Sequence, residues 1–221
     1  FGYGDCAFRW KIEPMEKFIG SDQATVYFGM RVDEDRVGYV SSRGNIIPRY
    51  PLVEMGINLE MVYAIVDKVG LSPPSFFWDR LYCEVMKCLS HLSEGFSFPP
   101  SPEDFVQNLP RSIFNELFSW RTRSNCFHCF FQREYEWVGL LEHHSDLFTE
   151  AEKIEREVGT RERATPFTWI PGKTLTEIRS SVDEIVEKRV NRVIHSLKTK
   201  RITKDSDDLL EVTSCGLFCG K

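Results

Sequence analysis

Two thiols near the middle of the chain, Cys126 and Cys129, have the clearest chemical potential. Two residues between cysteines is the spacing at which a turn directs both sulfurs to one metal ion or cluster, or closes a redox disulfide. Arg121 and Arg123 precede the pair, and an apolar run at helical spacing follows it. Free cysteine is also common in protein interiors, so a buried knot in which both side chains only pack is the alternative.

A second thiol pair, Cys215 and Cys219, stands near the end of the chain. Four thiolates from two short motifs suit one [4Fe-4S] cluster or one zinc ion, and their spacing does not choose between the two. We expect the pairs to meet when the long helix between them folds back. Seven cysteines, an odd number in uneven clusters, indicate a reducing compartment rather than a disulfide framework.

Charged side chains follow the clearest predicted strand, residues 24–30. Its sequence, ATVYFGM, is a continuous apolar run typical of a buried parallel strand. Arg31, Asp33, Glu34 and Arg36 come directly after it. Ligands of open α/β sheets bind beyond the carboxyl ends of strands, so these four side chains are candidates for substrate contact. The alternative is an internal salt-bridge cluster.

Helices must hold these groups in place. Apolar spacing predicts one helix directly after the thiol pair, with Trp137 and Leu140 on one side and Glu136 on the other. Cap and spacing signals predict further helices over residues 14–19, 58–69, 77–92, 145–158 and 174–200, and one beginning near Pro102.

Three of these helices carry more specific expectations. The helix over 58–69 is expected to cover the core with its apolar face. Cys83 and Cys88 have poor ligand spacing and are expected to pack. Thr174 and Glu177 match a capping box at the start of the last helix.

Four stretches, in this order, resemble the phosphoadenosine phosphosulfate (PAPS) reductase-like family of the PP-loop superfamily. They are CAFRWKIEP (6–14), GMRVDEDR (29–36), YPLVEMG (50–56) and SNCFHCFFQREYEWVGLLEHHSDLF (124–148). The resemblance implies an α/β fold, the helix-rich C-terminal part of a PP-loop (HUP-type) parallel sheet with an added helical region. Residues 1–71 would be the remainder of the core, 72–120 a helical insertion, and 121–221 the thiol turn and C-terminal helices.

The resemblance also implies anion contacts. Arg9 and Lys11 become candidates for a phosphate or sulfate, and Arg31 and Arg36 for an adenine nucleotide or sulfonucleotide, because guanidinium and ammonium groups pair with such oxyanions. For Arg9 and Lys11 a solvated basic pair is the alternative. The family's Ser-Gly-Gly-x-Asp-Ser nucleotide loop is missing from the sequence, so a partner chain or another segment is expected to supply it.

The resemblance also implies roles for Cys6 and Cys215. Cys6 is a fifth candidate ligand, since cluster-bearing relatives place a cysteine before a basic stretch. Cys215 is the candidate catalytic nucleophile, because SCGLF (214–218) is similar to the Glu-Cys-Gly-Leu-His tail of sulfonucleotide reductases. The glutamate and histidine of that tail are replaced here, which favours a metal role for Cys215, since thiolate reactivity depends on neighbouring charges.

Composition limits the partners. The formal net charge of -5 argues against a surface that generally coats nucleic acid, while a local basic face at the end of the last helix leaves nucleic acid open. No apolar run approaches the roughly 20 residues of a membrane helix, and no secretory signal pattern is present, so we expect a cytoplasmic protein without membrane contact.

Three hypotheses follow. The chain is a PAPS reductase-like protein that handles activated sulfur on an adenine nucleotide or nucleic acid, or one half of a split PP-loop enzyme. The third hypothesis is a non-catalytic interaction module that keeps a structural metal site of four cysteines for stability.

The missing nucleotide loop generates a first prediction. Without its backbone donors for phosphate, the isolated chain is expected to show no ATP pyrophosphatase activity. Release of pyrophosphate from ATP by the purified chain measures this, and turnover by the chain alone would contradict the expectation.

Overall fold

The computed structural model describes residues 7–35, 37–71, 75–91, 101–121, 126–159 and 167–199. The described residues up to Leu71 form one compact unit, and those from Ser75 onward form another. Helices predominate in both, and the first unit adds a small parallel sheet. The chain is therefore a mainly helical α/β protein.

The first unit begins with a π-helical turn, α1 (Phe8–Ile12), continued by α2 (Glu13–Ile19). Strand β1 (Ala24–Tyr27) pairs in parallel with β2 (Ile46–Arg49). Two helices follow, α3 (Pro51–Glu54) and α4 (Leu59–Val69). The expected parallel pairing is present, and α4 starts where predicted because the Asn58 side chain accepts a hydrogen bond from the Met61 N–H at 3.0 Å.

The first unit buries little of its apolar surface. Strand β1 is shorter than expected and alternates half-buried with exposed residues, and Tyr27 is 67% exposed. The prediction of a buried strand is therefore wrong within this unit, because two strands alone cannot cover both of their faces. Helix α4 also fails to cover a core, since its apolar residues Met61, Ile65 and Val69 remain between 44% and 65% exposed.

The second unit is a helical assembly with a well-buried core. Its helices are α5 (Asp79–His91), α6 (Pro102–Gln107), α7 (Arg111–Phe118), α8 (Glu134–His143), α9 (Ser145–Gly159), α10 (Leu175–Ser180) and α11 (Val182–Lys198). Helix α8 lies at the centre, packed against α9, α10 and α11, and α5 packs against α11 and α6. The described residues of the predicted regions 72–120 and 121–221 thus contribute to one core.

Helix α8 is buried on every side of its first turns. Residues 135–140 are all buried, and the side chain of Glu136 is 0% exposed. The expectation that Glu136 faces outward is wrong. Glu136 occupies the third position of the helix, and its Oε2 accepts the Arg133 N–H at 2.8 Å in a capping arrangement, which gives one oxygen of the buried carboxylate a partner.

Two other expectations need correction. The final helix breaks at Ser181, where the hydroxyls of Ser180 and Ser181 donate to the Glu177 carbonyl at 2.9 and 2.7 Å and compete with the helical backbone bonds. Its predicted capping box is present, since Glu177 N–H donates to the Thr174 hydroxyl at 3.2 Å. Cys83 lies exposed on α5, because Leu81, Val85 and Leu89 form the buried stripe of that helix.

The close approach of α8 to Trp120 generates a second prediction. A Cβ at Gly139 would lie 2.6 Å from Cγ of Trp120, at the base of a buried side chain that cannot swing away. We expect Gly139→Ala to lower the free energy of unfolding by about 1–3 kcal/mol, because overpacking outweighs the roughly 1 kcal/mol gained in helix propensity. Urea denaturation measures the change.

The matched control is Gly44→Ala, because no atom lies within 4 Å of a Cβ at Gly44. Equal unfolding midpoints for Gly139→Ala and the unmodified chain would show that the helix approach is looser than described.

Candidate functional site

The thiol turn, residues 126–132, directly precedes helix α8. The Cys129 N–H donates to the Cys126 carbonyl at 3.2 Å, and the Gln132 N–H donates to the Cys129 carbonyl at 3.0 Å. Cys126 is exposed and Cys129 is half-buried. The alternative of a buried knot is therefore wrong for Cys126, whose sulfur is open to chemistry.

One guanidinium faces the thiol turn. Arg121 lies over the ring of Trp120, with 5.0 Å between the guanidinium carbon and the ring centroid. Partial burial lowers the pKa of Arg121, and the charges of Glu136, Cys129 and Cys126 oppose that shift. The guanidinium of Arg121 therefore lies within electrostatic range of both cysteine side chains.

A second layer of charge lies behind the turn. Nη2 of Arg189, on α11, donates to the carbonyls of Glu116 and Leu117 at 2.6 and 3.0 Å, and so caps the C-terminal end of α7. Its guanidinium lies 4.4 Å from the ring centroid of Tyr135, whose hydroxyl accepts a hydrogen bond from Arg133 at 3.1 Å. These contacts join α7, α8 and α11 through buried polar groups.

The position of Arg189 also bears on nucleic acid. The basic face expected at the end of the last helix includes Lys188 and Arg189. Arg189 instead points into the protein, and Lys188 pairs with Glu184 at 2.6 Å. Two cations of that face are thus committed to contacts within the chain.

An aromatic wall stands beside the thiol turn. Ring centroids of Phe130, Phe167 and His128 lie 5.1, 4.9 and 5.4 Å from that of Trp169. Trp169 is 5% exposed, whereas Phe130, adjacent to Cys129, is 48% exposed. Phe130 is the one exposed large apolar side chain of the described residues from 75 to 199. The turn therefore rests against a wall with one open aromatic side chain.

A buried carboxylate fixes that wall. Oε1 of Glu155, on α9, accepts the Trp169 N–H at 3.1 Å, and its Oε2 accepts the Leu175 N–H at 2.8 Å. The indole Nε1 of Trp169 donates to the Ala151 carbonyl at 3.0 Å. The sequence carries no local signal for these contacts, because Glu155 and Leu175 are 20 residues apart.

Four buried polar atoms of the turn and of the first turn of α8 have no hydrogen-bond partner within the described structure. They are Nδ1 of His128, Nε2 of Gln132, Oε1 of Glu136 and Nε1 of Trp137. Unpartnered buried polar atoms are uncommon in folded proteins and require a physical explanation, such as a bound group or ordered water.

The anion candidates belong to the first unit. Nε of Arg31 pairs with Asp33 at 3.0 Å and its Nη1 pairs with Glu34 at 3.1 Å, so the expected salt-bridge alternative is present. An anion bound by Arg31 would compete with both carboxylates. Arg9 and Lys11 are exposed on α1, where a solvated anion could reach them.

The remaining site candidates, Cys6, Arg36, Cys215 and Cys219, lie outside the described residues. The structure brings Cys126 and Cys129 together in one turn, and Arg31 and Glu34 in one ion-pair cluster. Within the described ranges, no group of three or more His, Cys, Asp or Glu side chains is arranged to hold a metal ion. The helices of those ranges include none that is long and apolar enough to cross a membrane.

No family model, curated protein or solved structure matches this chain.

The buried layer behind the turn generates a third prediction. Burial raises the pKa of Glu116 against the opposing charges of Arg133 and Arg189. Because the folded state favours the protonated carboxyl, wild-type stability falls as pH rises from the ordinary carboxyl range through the raised pKa. We expect Glu116→Gln to raise the melting temperature by a few degrees at pH 8 and by less at pH 4.

Thermal unfolding followed by circular dichroism at both pH values measures this effect. Glu187→Gln replaces an exposed carboxyl on α11 and is the control. A Glu116→Gln variant that is less stable than wild type at pH 8 would mean that the carboxylate acts mainly as a counter-charge for the two arginines.

Proposed function

We propose that this chain is a PAPS reductase-like protein that handles activated sulfur on an adenine nucleotide or a nucleic acid. One observation carries the proposal: an exposed and a half-buried cysteine are held in one hydrogen-bonded turn with a guanidinium as their electrostatic neighbour. Sulfur chemistry uses thiols near positive charge, and this turn places two thiols there. The ordered sequence resemblance adds the PP-loop fold and the adenine nucleotide to the proposal.

A Cys-bound [4Fe-4S] cluster fits the described part of the site. Cys126 and Cys129 supply two thiol donors from one turn, and Cys6, Cys215 and Cys219 are the candidates for the remaining ligands. A cluster would supply electrons to the sulfur, whereas a zinc ion would hold the thiolates without redox chemistry. Arg121 would offset the negative charge that gathers on the bound thiolates.

Other residues are proposed to bind the substrate or to react with its sulfur. Arg9, Lys11 and Arg36 are proposed to bind the anionic part of the substrate, with Arg31 and Glu34 shaping the same region through their ion pair. Cys215 is proposed as the thiol that attacks sulfur if it is not a metal ligand. A cytoplasmic setting, where cysteines remain reduced, belongs to the same proposal.

A split PP-loop enzyme is the second candidate function. The observation in its favour is the small parallel sheet of the first unit, because such sheets are found with both faces covered. Tyr27 and Ile47 on the two strands remain 67% and 52% exposed. In this case ATP turnover appears only when a polypeptide with the nucleotide loop is added. The third candidate, an interaction module with a structural site of four cysteines, requires a metal but no sulfur transfer.

Metal analysis provides the fourth prediction. Protein purified without oxygen is expected to absorb broadly in the visible range and to contain about four irons per chain, with matching sulfide. Cys126→Ala and Cys129→Ala should lose most of the iron. Cys83→Ala removes an exposed thiol on α5 and should keep it.

The other outcomes separate the candidates. One zinc per chain that is lost in the same variants would favour the structural site. Iron or zinc that survives both substitutions would contradict a centre at the thiol turn. Absence of both metals, together with sulfite release from a sulfonucleotide that requires Cys215, would favour the free nucleophile.

A further inference from the structure

The backbone N–H and the backbone carbonyl of Cys129 both form hydrogen bonds with Gln132. Its N–H donates to Oε1 of the Gln132 side chain at 3.2 Å, and the backbone N–H of Gln132 donates to the Cys129 carbonyl at 3.0 Å. The same Cys129 N–H also donates to the Cys126 carbonyl at 3.2 Å. The backbone between the two thiols is thus fixed by reciprocal contacts with Gln132.

Gln132 is itself immobilised. Its side chain is 5% exposed, and the residue directly precedes Arg133, whose N–H is held by the fully buried Glu136 at 2.8 Å. A buried side chain next to a capped helix start keeps one rotamer, and a site is held precisely when its supporting residues are locked in this way. The turn therefore has a rigid support that belongs to the core.

We propose that Gln132 is the positioning residue of the thiol pair, which it holds at the separation that one disulfide bond or one thiophilic metal ion bridges. A turn closed by a hydrogen bond between its first and fourth residues keeps their Cα atoms within about 7 Å. Disulfides span Cα separations of about 4.4–6.8 Å, so little backbone movement is needed for Cys126 and Cys129 to close.

The Nε2 atom of the Gln132 amide supports the same role. Nε2 has no hydrogen-bond partner in the described structure, although the side chain is buried. The other atom of this amide is committed to the Cys129 N–H, so the orientation of the amide is fixed. A buried N–H donor is therefore left beside the turn for the group that the thiols bind, as in the outer shells of thiolate-bound metals.

The inference rests on the proposed function only in treating Cys126 and Cys129 as a working pair. Its test needs neither substrate nor cofactor. The full chain, freed of metal, is equilibrated with glutathione buffers of graded potential, where glutathione disulfide accepts the two electrons and glutathione takes up the protons. Differential alkylation and peptide mass spectrometry then give the oxidised fraction of the peptide that carries both cysteines.

Three variants test the hydrogen bond from the Cys129 N–H to the Gln132 side chain. Gln132→Met keeps the length of the side chain but loses the amide acceptor, and we expect it to lower the equilibrium constant for disulfide closure about tenfold, the factor carried by one net hydrogen bond of about 1.4 kcal/mol. Gln132→Glu keeps an acceptor and should stay within about threefold of wild type. Gln107→Met, at an exposed position on α6, should not change the constant.

Melting temperatures distinguish a local effect from general destabilisation. If Gln132→Met does not fold, Gln132→Asn replaces it, because its amide is one methylene too short to reach the Cys129 N–H. An unchanged constant in Gln132→Met or Gln132→Asn would overturn the proposal. A loss in Gln132→Glu as large as that in Gln132→Met, or no closure in wild type at any potential, would also overturn it.

A second measurement separates this inference from the metal centre. Zinc is added to the reduced chain, and protection of Cys126 and Cys129 from alkylation is followed. Protection in wild type, but not in Gln132→Met, supports the positioning role. If Gln132→Met lowers the constant for disulfide closure but zinc does not protect the thiols and no iron is bound, the positioning role of Gln132 is supported. The metal is then removed from the proposed function.

Discussion

The buried start of α8 is the constraint on which the second unit depends. A helix that begins inside a protein leaves backbone donors away from water, and each donor needs an acceptor. The Glu136 side chain supplies one to Arg133, and the Gln132 side chain supplies another to Cys129 three residues earlier. At two successive places, a side-chain oxygen thus accepts the backbone N–H of the residue three positions earlier. This arrangement extends the order of the helix into the turn and gives two accessible thiols the rigidity of the core.

Buried charge around this helix start is tolerated because each guanidinium finds carbonyls or aromatic faces. Arg189 donates to the end of α7 and lies over Tyr135, and Arg121 lies over Trp120. Burial lowers the pKa of both arginines, and the aromatic faces and carbonyls offset part of the cost of burying their charge. Burial raises the pKa of Glu116, although the charges of Arg133 and Arg189 oppose that shift.

The two units differ in how completely they bury their apolar residues. The second unit encloses Trp78, Phe118, Trp137 and Phe148, each no more than 1% exposed. The first unit has a two-stranded sheet and a helix, α4, whose apolar residues stay largely exposed. Hydrophobic burial therefore stabilises the thiol site directly, whereas the sheet of the first unit lacks the covered faces typical of parallel sheets.

Local features of this protein were determined by its sequence alone. The caps at Asn58 and Thr174 and the closely spaced thiols depend on residues within one turn, so their signals are readable without a fold. Tertiary structure decided the burial of Glu136, the inward course of Arg189 and the exposure of Cys83. Those outcomes depend on which distant segments meet, and a contact such as that between α11 and the end of α7 joins residues 73 apart. Helical spacing identifies an apolar face, but only packing determines what covers it.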